Sequence, residues 1–262
     1  MLGAYTAHYL SRRVRMLRQV HRTDPALFAP VGPVRALSRP LPPAVADALV
    51  TAELVATTAF TLGVRHRATG PLHAGLLLWA LSYRNSWSMV FHNDNTLVLH
   101  TLVTGLSPAA DALSVDALLR PGSPAPHWRY GFPATVSSVV SAAAYLVAGL
   151  AKVRGPLGWG WASGDALRSQ VAADGLRKDL LGSSAAPLGV RLYRYTGLWR
   201  TMAVGSLAVE LGAPLALLDR RLGRAWSGAA FGMHWGIKAV MGITFRYHLS
   251  GAAYTSFLRW PR

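Results

Sequence analysis

The sequence predicts an all-α fold, a polytopic integral membrane bundle of about six transmembrane helices with interfacial amphipathic helices alongside. Three observations lead there. Of the 262 residues, 52% are hydrophobic and only 15% are charged, where an ordinary soluble domain carries roughly 25% charged residues. The apolar residues come in blocks rather than evenly. Short arginine-bearing loops separate the blocks.

Residues 1–43 read as a basic N-terminal arm, with seven arginines at 12, 13, 15, 18, 22, 35 and 39. Tyr5 to Val20 has the pattern of an amphipathic helix lying on a membrane, and Pro25 to Pro43 reads as a loop. Met1 to His21 is polar and lacks the apolar core of a cleavable signal peptide. Residues 44–262 form the transmembrane domain. The first span is expected at 44–64, with Asp47 near its start and Glu53 inside it, and the second at 72–91. A polar break, His92-Asn93-Asp94-Asn95, leads into a third helix at 95–106. That helix is short for a hydrocarbon core needing ~20 residues. Spans at 132–153, 196–218 and 226–249 follow. Between the fourth and fifth, residues 166–181 read as an interfacial helix, with Leu167, Val171, Leu176 and Leu180 on one side.

The net charge is +16, and 24 of the 27 basic residues are Arg. With abundant Ala and Gly, this matches the coding bias of a GC-rich bacterium. Arginines that flank apolar spans meet lipid headgroups. No basic motif with interleaved aromatics points to nucleic acid. The Arg- and Lys-rich segments, 1–43 and 154–195, fall on one side of a six-span topology, and the positive-inside rule makes that side cytoplasmic. The expected location is therefore the bacterial inner membrane. The chain has no cysteine, so disulfides, thiolate metal sites and cysteine nucleophiles are excluded. No pair of ligands at metal-binding spacing occurs, so no metal is expected.

Charged residues inside spans cost about 2.5 kcal/mol or more and persist when paired, hydrated or used. Lys152 closes a strongly apolar block in a chain that otherwise places Arg at surfaces. It reads either as a desolvated base or as a snorkelling lysine at a span end. Glu210 lies mid-span, four residues before Pro214, and reads as half of a buried pair or as an acceptor for freed backbone donors. His234 reads as a core histidine or as a site residue one turn from Lys238. His92 to Asn95 reads as a helix cap supplied by Asp94 or Asn95, or as the lining of a site.

These residues stand in an ordered series. Ser86-Trp87-Ser88-x-x-Phe91-His92-Asn93-Asp94-Asn95 comes first, then Leu106-Ser107-Pro108-Ala109-Ala110-Asp111 and Ser114-Val115-Asp116. Tyr145-Leu-Val-Ala-Gly-Leu-Ala-Lys152 and Gly158-Trp-Gly-Trp161-Ala-Ser-Gly-Asp165 follow, then Glu210-Leu-Gly-Ala-Pro214 and Phe231-Gly-Met-His234-Trp-Gly236. Over about residues 44–250 this series resembles the HTTM family, the membrane domain of the vitamin K-dependent gamma-carboxylase type. The resemblance implies that Lys152, in an Ala-Gly-x-x-Lys stretch followed by Trp161, is the base that deprotonates a reduced naphthoquinone. It implies a catalytic role for His234 and quinone contacts from His92, Asn93, Glu210 and Trp161. In a bacterium, the implied cofactor is menaquinol in place of vitamin K hydroquinone. Oxygen would then generate a strong base that acts on an unknown peptide or protein substrate.

Two departures bear on that implication. Asp111 stands where the family has a functional histidine before its Ser-Val-Asp, and no stretch corresponds to the large propeptide-binding domain. The alternative expectation is a non-catalytic membrane partner or chaperone that binds lipid or peptide with the same bundle. A small-solute transporter is disfavoured, because no inverted repeat with matching broken helices is visible.

Overall fold

The computed structural model describes residues 1–87, 94–120, 125 and 127–258. Among them every regular element is helical. The chain divides into two compact units, Met1–Val136 and Ser137–Arg262.

In the first unit, α1 (Leu2–Ser11) and α2 (Val14–Val20) take the place of the single amphipathic helix expected at 5–20. Two adjacent arginines, Arg12 and Arg13, stand at the break. α3 (Pro43–Leu62) begins with its proline at the first helical position, where a missing N–H costs nothing. α4 (His66–Asn85) begins six residues earlier than expected. The cause is remote in sequence: the Asp116 carboxylate accepts the backbone N–H groups of Arg65 and His66, both at 2.8 Å. Those two bonds hold the carboxyl of Asp116 below the usual carboxylate range, His66 first and Arg65 second. α5 (Asn95–Gly105) is 11 residues long. The short α6 (Val115–Leu118) is capped by Ser114, whose hydroxyl accepts the Ala117 N–H at 3.0 Å. α3 and α4 pack side by side, with α1 against α3 and α5 against α4. α7 (Trp128–Arg154) crosses from the first unit's residues into the second's.

The second unit continues through a 3-10 turn at Gly158–Ser163 and α8 (Asp165–Leu180), in register with the interfacial helix expected at 166–181. α9 (Pro187–Leu192) and α10 (Thr196–Leu211) follow. α10 stops at Gly212, ahead of Pro214, so the span expected to 218 ends in a 3-10 turn, Ala213–Leu217. α11 (Arg220–Met241) starts on the Asp219 side chain, which accepts the N–H groups of Arg221 and Leu222. It ends at Gly242 (φ 69°) rather than at 249. That left-handed residue turns the chain into α12 (Arg246–Leu249), a 3-10 turn and α13 (Thr255–Leu258).

Among the described residues two helices, α3 and α7, are long and apolar enough to cross a membrane. Only 28% and 33% of their most apolar stretches are buried. Val45, Val55 and Leu62 of α3 and Phe132, Val139 and Val147 of α7 face outward.

Candidate functional site

On α7 the residues Ser138, Ser141, Tyr145, Gly149 and Lys152 recur every three or four positions, so they share one face. Through that stripe the otherwise exposed helix meets the rest of the second unit. Gly149 permits the closest approach: a Cβ there would lie 2.9 Å from the Cβ of Glu210 and 2.9 Å from Leu211. One turn later Lys152 Nζ donates to both carboxylate oxygens of Glu210, at 2.6 and 2.7 Å. The lysine side chain is 26% exposed and the glutamate 9%. Beside them the Trp161 ring centre lies 5.3 Å from Nζ. Trp161 is held by the 3-10 turn after α7 and packs on Ala203 and Leu207 of α10. Lys152, Glu210 and Trp161, three of the residues expected at the site, therefore form one cluster.

His234 sits in a second cluster. It is buried on α11, with Nδ1 at 3.0 Å from the Ala230 carbonyl, 3.2 Å from the Tyr145 hydroxyl and 3.1 Å from the Tyr254 hydroxyl. The two hydroxyls are 2.6 Å apart. The His248 ring stacks on His234 at 4.3 Å with the planes 6° apart, and Trp226 packs edge-on to Tyr145. Lys238 turns away, its Nζ 4.4 Å from the Trp235 ring centre. Parallel imidazoles that close cannot both carry a proton without strong repulsion.

Tyr145 reaches the His234 cluster from the face of α7 that carries Lys152, its hydroxyl bonding His234 and Tyr254. The Trp226 indole adds a strut from the same place, donating to the Val209 carbonyl at 2.8 Å.

The first unit holds two further polar clusters. Glu53 and His73 are fully buried, Oε1 to Nδ1 at 2.7 Å. Glu53 Oε2 and His73 Nε2 have no hydrogen-bond partner among the described residues. Arg84 pairs with Asp94 at 2.9 Å, and the Tyr9 hydroxyl donates to the same carboxylate oxygen. Burial pushes the Tyr9 hydroxyl well above the usual phenol range, with Asp94 adding to the effect. Asp94 stands at the start of α5 but makes no side-chain cap bond, so its carboxylate holds Arg84 instead of capping the helix. His92 and Asn93 lie outside the described residues. Asp111 accepts hydrogen bonds from Tyr130 and Arg129, at 2.8 and 3.1 Å.

Reasoning from sequence missed Tyr145, Tyr254, His248 and His73. The first had a signal: it precedes Lys152 by seven residues, on the same helical face. The others are fixed by tertiary contact alone.

No family model, curated protein or solved structure matches the chain. The fold among the described residues is all-α, with two helices long and apolar enough to cross a membrane.

Proposed function

We propose that the chain is a multi-pass membrane enzyme of the vitamin K-dependent carboxylase type, in which Lys152 takes a proton from a reduced naphthoquinone such as menaquinol. About six crossings are proposed. α4 and α11, at 20 and 22 residues, have the length at about 1.5 Å per residue, and α5 and α10 complete the set as short or tilted passes. Because the chain has no cysteine, single cysteines placed at 63–65, 107–127, 155–195 and 212–219 report the side of each connection between the proposed spans. Six crossings put the α3–α4, α5–α7 and α10–α11 connections on one side and the α7–α10 connection on the other, and any other pattern overturns the six-span arrangement.

The observation that carries the catalytic reading is the Lys152–Glu210 pair beside Trp161, at the end of an apolar helix. An ammonium is no base. To act as a base Lys152 must be the neutral amine, and the Glu210 carboxylate at 2.6 Å is the group placed to hold its proton. The donor set suits a planar hydroquinone: the amine receives the phenolic proton and the indole offers an aromatic wall. The deprotonated hydroquinone supplies, with dioxygen, a base strong enough to act on a second substrate. Tyr145, on the Lys152 face of α7, hydrogen-bonds His234 and Tyr254. The test is to incubate the purified chain with reduced menaquinone and oxygen. Quinone epoxide that disappears in Lys152→Ala supports the reading; folded protein that forms none overturns it.

A second reading, a non-catalytic membrane partner that binds lipid or peptide, is favoured by the engagement of Lys152 Nζ with both carboxylate oxygens of Glu210. In that case the ion pair simply fastens α7 to α10.

A further inference from the structure

The arginines of the N-terminal arm do not all have partners. Arg15, Arg18 and Arg22 follow one another at i, i+3 and i+7, so they line one face of α2 and its C-terminal continuation. With Ser11, Val14 and Gln19 they line a groove of about 480 Å³. Arg22 is engaged: its guanidinium donates to both oxygens of Asp47, at 2.7 and 3.3 Å. Arg15 and Arg18 form no ion pair with any described residue, and both are exposed. The groove therefore presents two uncompensated guanidinium groups, two neutral polar side chains and one apolar wall.

Its position is fixed by the bonds that hold it. Besides Arg22, His21 Nδ1 lies 2.8 Å from Asp47. Asp47 belongs to the first turns of α3, one of the two helices fit to cross a membrane. If α3 crosses, as the proposed function holds, the groove lies where that helix leaves the hydrocarbon, at the level of the lipid headgroups. Guanidinium groups bind phosphate oxygens in pairs, and the cytoplasmic leaflet carries anionic lipid.

We propose that the groove formed by Ser11, Val14, Arg15, Arg18, Gln19 and Arg22 is a binding site for the phosphate of one anionic phospholipid headgroup. Arg15 and Arg18 grip the phosphate, and Val14 flanks the glycerol. The bound lipid fixes the basic arm to the membrane surface beside α3.

The test uses the full chain, purified in a neutral detergent, and follows its melting temperature against short-chain phosphatidylglycerol, short-chain phosphatidylcholine and inorganic phosphate. Phosphatidylglycerol is expected to raise the melting temperature saturably, and the other two to leave it unchanged. Arg15→Gln with Arg18→Gln is expected to weaken the apparent affinity roughly 30-fold, at about one decade or less per charge, with helicity unchanged. Arg194→Gln, at an exposed arginine elsewhere, is the control and is expected to have no effect. Equal responses to the two lipids, an equal response to inorganic phosphate, or a double variant that binds like the wild type would each overturn the proposal. Resistance of the chain to alkaline carbonate extraction separates the two readings. Extraction-resistant protein without lipid discrimination removes the groove site alone, whereas extractable protein removes the membrane reading with it.

Discussion

A Cβ on Gly149 would lie 2.9 Å from the Cβ of Glu210. α7 and α10 touch there with no room for a methyl group, and the contact brings the Glu210 carboxylate to Lys152. Gly149→Ala is expected to push the helices apart and to cost about 1–3 kcal/mol, the usual penalty of overpacking. A fall in melting temperature measures it. Gly205→Ala, where an added Cβ meets nothing within 4 Å, is the matched control and is expected to be neutral or slightly stabilising.

The ion pair itself makes a sharper prediction. Lys152→Met leaves a nearly buried carboxylate without its cation and is expected to cost about 2 kcal/mol, below the 3–5 kcal/mol of a fully buried pair. Replacing both partners, Lys152→Met with Glu210→Leu, removes the stranded charge and is expected to recover most of that loss. Denaturation of the two single variants and the double variant in one detergent gives the coupling energy.

Tyr145 is expected to act as a shared partner rather than an isolated contact. Tyr145→Phe and Tyr254→Phe each remove a hydroxyl from the trio with His234, at about 1 kcal/mol apiece. The double variant is expected to cost less than the sum, because either single change already breaks their mutual bond. Strict additivity in a melting cycle would show that the two hydroxyls act separately.

How far the sequence carried can be judged from particular helices. Runs of Val, Ala, Leu and Thr were enough to place α3 and α7, because a long apolar stretch states its own length. α4 was set too late, since its first turn depends on Asp116, some fifty residues away. α11 was run too far, since nothing local distinguished Gly242, which ends the helix, from the glycines inside it. The site was partly legible. A lysine and a glutamate in separate apolar spans each call for a counter-charge, and they found each other. The wrapping of His234 by Tyr254 and His248 was not legible, because those residues arrive through a turn at Gly242 that carries no periodic signal.

Asp116 gives a pH dependence. Its carboxyl titrates below the unfolded value because the charged form accepts the His66 and Arg65 N–H groups. A depressed folded pKa means stability that is present above the unfolded pKa, about 3.9, and lost as pH falls through the folded value. The wild type is therefore expected to melt higher than Asp116→Asn from pH 6 to 8. The two curves should converge below about pH 4. Melting temperatures taken across that range test it, and a gap that persists in acid contradicts the capping account.

The central claim is that the amine of Lys152 performs chemistry and does not merely hold α7 in place. The most direct measurement compares quinone epoxide formed from reduced menaquinone and oxygen by the wild type and by the Lys152→Met, Glu210→Leu double variant, once both are shown to melt alike. The account predicts epoxide from the wild type and none from the equally stable double variant. Epoxide from both proteins, or none from the folded wild type, would contradict it.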